Sequence, residues 1–179
     1  DAADYPVSYA QQRLWFLSQM DGSEAYHMVD SLRVRGLLDL ESLRFALGSV
    51  ITRHESLRTS FFERDGVLRQ RIEKPGEASL EFVDLRDTPD PLEAARKSAL
   101  DDAGRAFDLS QAPLIRLHLL RLGADDHVLL FNMHHIVSDG WSMDVLVREV
   151  IALYRARTEN GSANLPSLPI QHRDYVAWQ

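Results

Sequence analysis

The stretch Met133-His134-His135-Ile136-Val137-Ser138-Asp139-Gly140-Trp141-Ser142 gathers the groups best suited to chemistry: two adjacent imidazoles, a carboxylate and two hydroxyls. Imidazole is the side chain whose unperturbed pKa lies nearest neutrality, so a positioned His can take a proton from an amine or hydroxyl attacking a carbonyl. The pair follows the apolar run Val128 to Phe131 and precedes a turn. Neighbouring strand side chains point to opposite faces, so one ring is expected in the packed interior and the other in a cleft. Strand-end loops of this kind often hold ligands in α/β proteins. Taken alone, these residues leave other readings open. A buried His is more often a satisfied core residue than a catalyst. Paired His could also bind a metal, but opposite-facing rings rarely share one ion, and Asp139 would have to fold back beside them. A Ser-His-Asp hydrolase needs a positioned nucleophile, and no Gly-x-Ser-x-Gly elbow is present; Ser138 and Ser142 read as turn and helix-cap residues.

Positioning such groups takes a packed scaffold, and the composition supplies one. With 45% apolar and 26% charged residues among 179, the chain is not a disordered tail, and its length suits one domain with its own core. Twenty Lys plus Arg against 27 Asp plus Glu give a net charge of −7, which weighs against a nucleic-acid partner. No apolar stretch approaches the roughly 20 residues of a membrane-spanning helix. The absence of Cys excludes disulfides, thiolate zinc sites and thiol nucleophiles. Beginning at Asp1-Ala2-Ala3-Asp4 without an initiator Met, and stopping at Gln179 without an ending signal, the chain is expected to be a piece of something longer.

Helical and strand periods alternate throughout, which predicts an α/β layered fold. Ser8 is placed to cap a helix reaching Met20, with Ala10, Leu14 and Leu17 along one side. Met28 to Val34 reads as a strand. Asp39 caps a helix carrying Leu40, Leu43, Leu47, Val50 and Ile51. Thr59 to Glu63 and Val67 to Ile72 flank Arg64-Asp65-Gly66 as a hairpin, because Gly accepts the positive φ of such turns. Leu80 to Leu85 is a further strand, and Pro91 opens a helix running from Leu92 to Ala106. Pro113 to Leu122 and His127 to His134 form a strand pair, the second buried on both faces. The Ser138-Asp139-Gly140 turn leads into a helix from Ser142 to Arg157, with Met143, Leu146, Val147, Val150 and Tyr154 inward. Residues 158–169 read as a linker-like loop, and Gln171 to Gln179 as the start of another element.

Four segments then carry a resemblance: Ser8-Tyr9-Ala10-Gln11-Gln12-Arg13-Leu14-Trp15-Phe16-Leu17, Arg53-His54-Glu55-Ser56-Leu57-Arg58-Thr59-Ser60-Phe61, His134 through Ser142, and Arg173-Asp174-Tyr175-Val176-Ala177-Trp178. In this order they resemble the motifs of condensation domains of non-ribosomal peptide synthetases, within the chloramphenicol-acetyltransferase-like superfamily. His172 departs from that pattern, which often has Tyr there. The resemblance implies an α/β, chloramphenicol-acetyltransferase-like lobe, a mixed β-sheet flanked by helices. Residues 1–179 would be the N-terminal lobe, with the C-terminal lobe absent. It implies peptide-bond formation by an acceptor amine attacking a donor thioester. Both substrates would be held on 4'-phosphopantetheine arms of donor and acceptor peptidyl carrier proteins, with an adenylation domain adjacent. No cofactor or metal would be bound directly, and the setting would be cytoplasmic, with neither nucleic acid nor membrane as partner.

By the same resemblance His135 occupies the active position, as a base or as a group orienting the amine, while His134 is a strand-end structural residue. Asp139 would be structural, its carboxylate paired with an Arg and turned away from the active His, with Arg58 as candidate partner. Gly140 would leave room for a pantetheine arm, or serve as an ordinary turn Gly. Trp141 is expected in the core or the tunnel wall, with Ser142 beside it, and Arg13 and Trp15 either on the cleft floor or as one solvated and one packed helix residue. His54 and Glu55 read as an exposed pair beyond a helix end, with no catalytic role. The paired His argue against heterocyclisation domains, and Trp141-Ser142-Met143 against epimerisation domains. The motif forms look closer to the subtype accepting a D-configured donor terminus. Coenzyme A-dependent acyl transfer and a non-catalytic carrier-binding module are the competing readings. The lone lobe is expected to be inactive and to expose an apolar interlobe face.

Overall fold

A computed structural model of the chain describes residues 4–20 and 23–179, so the opening Asp1-Ala2-Ala3 lies outside the described residues. In order, the elements are β1 (Asp4–Pro6), α1 (Tyr9–Ser18), β2 (His27–Arg35), α2 (Leu40–Arg53), β3 (Thr59–Arg64), β4 (Val67–Ile72), β5 (Leu80–Asp84), α3 (Pro91–Ala103), β6 (Ile115–Gly123), β7 (Asp126–His134), α4 (Gly140–Thr158) and α5 (His172–Trp178). Short 3-10 turns at Ser23–Tyr26 and Glu55–Arg58 precede β2 and β3. Ser8 caps α1 through a reciprocal pair with Gln11 at 3.1 and 2.9 Å. Asp39, Asp90 and Asp139 cap α2, α3 and α4 by accepting the amide N–H of the third residue on. Each cap contributes about 1 kcal/mol. In the β3–β4 turn Asp65 and Gly66 have φ of 53° and 74°, the left-handed pair that a two-residue hairpin needs.

The strands form two sheets, ordered β1-β4-β3 and β2-β7-β6-β5. The larger is mixed, because β5 runs parallel to β6 and a parallel pair needs a crossover, which α3 provides. Strand β7 lies inside this sheet with α2 and α4 on one face and α3 on the other, and its period of two sorts the side chains. Leu129, Phe131 and Met133 join Leu43, Leu47 and Val50 of α2 and Met143, Leu146 and Val150 of α4 in the main core. Val128 and Leu130 pack instead with Ala95 of α3, Leu85 and Leu120. Ile136 and Val137, just past β7, pack into a third cluster with Phe61, Leu68, Leu109 and Leu114 under the small sheet.

Several boundaries differ from the sequence reading, among them the end of α1 at Ser18 rather than Met20 and the start of β6 at Ile115 rather than Pro113, and two bear on the site. Helix α3 stops at Ala103, short of Ala106, because side chains from the sheet take its last carbonyls. The Asp102 carbonyl accepts Arg116 and Asn132, and the Ala103 carbonyl faces His27 Nδ1 at 2.8 Å. Helix α4 begins at Gly140 rather than Ser142, since Asp139 is its cap and the turn is its first residues.

Candidate active site

Strand β7 delivers both imidazoles and the pleat separates them. His134 follows Val128, Leu130 and Asn132 toward α3 and is 1% exposed. The Ile136 N–H donates to its Nδ1 at 3.1 Å, so the ring is neutral with its proton on Nε2. Burial, followed by the neighbouring His27 and His135, pushes its pKa down to about 4. His135 is exposed. Its backbone N–H donates to the Tyr26 carbonyl at 2.8 Å, which extends the β2–β7 pairing one residue past the strand. Its Nδ1 lies 2.8 Å from the Ser138 carbonyl. A carbonyl only accepts, so Nδ1 carries the proton and Nε2 presents a lone pair. That is the tautomer a proton acceptor needs.

His135 lines a cavity of about 390 Å³ with Ser8, Gln11, His54, Asp139, Ile170 and His172. A larger groove of about 1020 Å³ lies between α2, α4 and the segment around Ala163 and Leu165, but no His lines it. Asp139 Oδ1 accepts the Ser142 N–H at 2.8 Å and the Ser142 hydroxyl at 2.6 Å. These bonds hold the carboxyl below its ordinary pKa, and the carboxylate serves the helix cap. The Ser138 carbonyl already takes the Nδ1 of His135, so Asp139 does not complete a triad. Among the described residues no group of three or more His, Asp or Glu is placed to hold a metal ion, and no helix is long and apolar enough to cross a membrane.

Several expected placements are corrected. Arg58 does not pair with Asp139: its guanidinium donates to the Glu73 carbonyl and lies 3.7 Å from Glu55, three residues earlier on the same turn. Trp141 is not core, being 74% exposed on the first turn of α4. Of the two readings of Arg13 and Trp15, the structure follows the second: Arg13 is exposed and Trp15 packs with the third cluster, while Ala10, Gln11 and Leu14 of the same helix and its cap Ser8 line the cavity. A Cβ on Gly140 would meet nothing within 4 Å, so no close approach inside this chain demands Gly there. His54 and Glu55 are partly buried rather than an exposed pair. His54 Nε2 lies 2.7 Å from Glu149 of α4, which also receives Arg53, while Glu55 meets Arg173 of the last motif at 3.1 Å.

The pattern reading missed the polar cluster behind His134. Buried Asp102 accepts Asn132 Nδ2 and Arg116 Nε, each at 2.7 Å. Burial alone would raise the Asp102 carboxyl, but Asn132 and Arg116 outweigh it and the pKa lies below its ordinary value. The Arg116 guanidinium stacks 3.9 Å over Phe107, whose edge meets His27 at 5.0 Å and His134 at 6.2 Å. The signal available in the sequence was parity: Asn132 shares the strand face of His134.

The family model for the condensation domain matches residues 1–179. Malpinin synthetase of Mortierella alpina is 42% identical over 177 residues, covering 98% of this chain and 2% of that protein. Phosphinothricin tripeptide synthetase PhsC of Streptomyces viridochromogenes is 43% identical over 182 residues, 100% of this chain and 17% of that protein. The chain thus spans a small part of the length of these relatives. The starter condensation domain of rhizomide synthetase RzmA superposes with a TM-score of 0.86 at 28% identity, over 92% of this chain and 40% of that one. The first condensation domain of the CDA synthetase, 23% identical, shares the fold with a TM-score of 0.87 over 99% of this chain and 46% of that one. The motif order, the α/β lobe and these likenesses agree, and the chain belongs to the condensation-domain family.

Proposed function

We propose that the chain is the N-terminal lobe of a domain that forms peptide bonds in non-ribosomal peptide synthesis, with donor and acceptor held as thioesters on carrier-protein phosphopantetheine arms. The observation that carries this reading is the His135 ring, proton on Nδ1 and lone pair on Nε2, in the wall of an open cavity. The acceptor α-amine attacks the donor carbonyl carbon. A C–N bond forms, the C–S bond breaks, and the proton shed by nitrogen ends on the departing thiolate. A free α-amine has a pKa near roughly 8, so much of it is neutral before attack. The nitrogen becomes strongly acidic only after attack, and His135 Nε2 then accepts its proton. His134, Asp139 and Ser142 hold the loop; Gly140 leaves space at the cavity mouth for a pantetheine arm.

The lobe alone has little or no condensation activity, because a second lobe supplies the rest of the channel. Trp141, Ile170 and Trp178, at 74%, 67% and 83% exposure, belong to the apolar surface that such a lobe covers. The motif forms favour a D-configured donor terminus and an L acceptor. Acyl transfer from coenzyme A is the second reading, since a solved RzmA starter-domain variant is in complex with C8-CoA. The test is His135→Ala in a complete condensation module carrying this chain. Product formation between loaded carriers should fall by about a hundredfold or more, with the unfolding midpoint unchanged. Undiminished product would leave a carrier-binding module as the better reading.

A further inference from the structure

The polar arrangement behind His135 orders two buried protons. His134 Nδ1 accepts the Ile136 N–H, which places the His134 proton on Nε2. His27, its direct cross-strand partner on β2, has Nδ1 2.8 Å from the Ala103 carbonyl, which places the His27 proton on Nδ1 and leaves a lone pair on Nε2. Both Nε2 atoms are buried, and neither has a hydrogen-bond partner among the described residues. The two rings stand edge to face with centroids 5.9 Å apart, and Phe107 packs against both. A buried donor and a buried acceptor, each costly to leave unmatched, therefore sit on adjacent rings.

We propose that His27 is a positioning residue for His135, acting through His134: its Nε2 accepts the His134 Nε2–H, directly after a small ring rotation or through one water. A single direction of donation then runs from the Ile136 amide to His134, from His134 to His27, and from His27 to the end of α3. The residue before His27 holds His135 as well, since the Tyr26 carbonyl accepts its backbone N–H. The start of β2 thus grips the loop twice, once by backbone and once by ring. The role assigned to His27 in turnover rests on the proposed function; the proton arrangement itself does not.

The two parts are tested separately. In the ¹⁵N-labelled full chain, imidazole nitrogen shifts should show opposite tautomers: proton on Nδ1 for His27 and on Nε2 for His134. Finding the same tautomer for both rings would overturn the proposal, whatever the chain catalyses. His27→Phe keeps a ring against Phe107 but removes donor and acceptor, whereas His27→Gln keeps one of each. In a complete condensation module, His27→Phe should lower kcat about tenfold with KM within about twofold, and the His135 tautomer should become mixed. His27→Gln should restore both to within about threefold. A folded His27→Phe variant with native kcat and a native His135 tautomer would refute the positioning role. If His27→Phe fails to fold, the native tautomers and the His27→Gln variant still decide. Should His135→Ala retain full activity, only the catalytic reading falls, and the tautomer result stands by itself.

Discussion

His134 and His135 are one peptide bond apart and share almost nothing else. His134 looks toward α3, into a region where Asp102, Arg116, Asn132, Phe107 and His27 leave little exposed. His135 looks toward a cavity walled by α1 and by the segment carrying Leu168, Ile170, Gln171 and His172, with a single ring nitrogen committed. On the α3 side Asp102, Arg116 and Asn132 are tied together, and the two Nε2 atoms of His27 and His134 are the buried groups left to match. On the cavity side Ser8, Gln11, His54 and Asp139 are each bonded to a neighbour, and His135 Nε2 faces the cavity without such a bond. Preorganisation on one face is what lets that nitrogen on the other remain uncommitted.

That contrast can be broken from the α3 side first. Asp102→Ala removes the carboxylate that receives Arg116 and Asn132, leaving a partly buried guanidinium without its counter-ion. Stability measured by urea unfolding should fall by about 3–5 kcal/mol, far more than for truncation of exposed His135 or Asp139 in the cavity wall. An effect within about 0.5 kcal/mol, the range of ordinary surface changes, would contradict the contrast.

Acid attacks the same side more gently. Above pH 6.5 His134 is neutral whether the chain is folded or not. Between pH 6.5 and about 4 the unfolded chain binds the proton and the folded chain does not, so stability falls as pH is lowered. The difference of the two pKa values corresponds to a loss of about 3 kcal/mol by pH 4, beyond which it stops growing. Besides burial, positive charge on His27, whose ring packs against His134, and on the chain neighbour His135 disfavours protonation of His134. Buried His127, also shifted down by burial and then by Arg121, adds to the slope below pH 6.5 in the same direction. Comparing the pH dependence of unfolding in the native chain and in His134→Gln isolates the His134 share; equal slopes would remove it.

The smallest effect belongs to the cavity rim. Asp139→Ala deletes the cap of α4 and should cost about 1 kcal/mol, read as a shifted urea midpoint. In a complete module it should disturb turnover much less than His135→Ala. A loss of activity equal to that of His135→Ala in a fully folded protein would give Asp139 a chemical role that its bonds to Ser142 do not indicate.

Much of the scaffold was legible because it rests on local rules. Caps at Ser8 and Asp39, the Asp65-Gly66 turn and the doubly buried β7 all follow from short-range pattern. The division of the strands into two sheets and the short β1 did not show, because three residues with Pro6 carry no period. At the site, the opposite faces of His134 and His135 were readable from strand parity. Ion-pair choice was not: the resemblance implies an Arg partner for Asp139 with Arg58 as the candidate, yet Glu55 sits on the same turn as Arg58 and Asp139 is consumed by Ser142. Nor could periodicity show that His54 reaches Glu149, 95 positions along the chain, because that contact exists only once α2 and α4 have packed.

The alternation along β7 also makes the strand an arithmetic device. At its C-terminal end parity separates the two imidazoles: His134 lies an even number of residues from Val128 and enters the polar interior, His135 an odd number and enters the cavity. One residue inserted between Val128 and His134 would exchange the two environments and present to the cavity a ring built for burial. The same insertion in the turn between β6 and β7, at Ala124 or Asp125, would leave the count from Val128 intact. Length in this hairpin is therefore constrained along the strand and free at its tip.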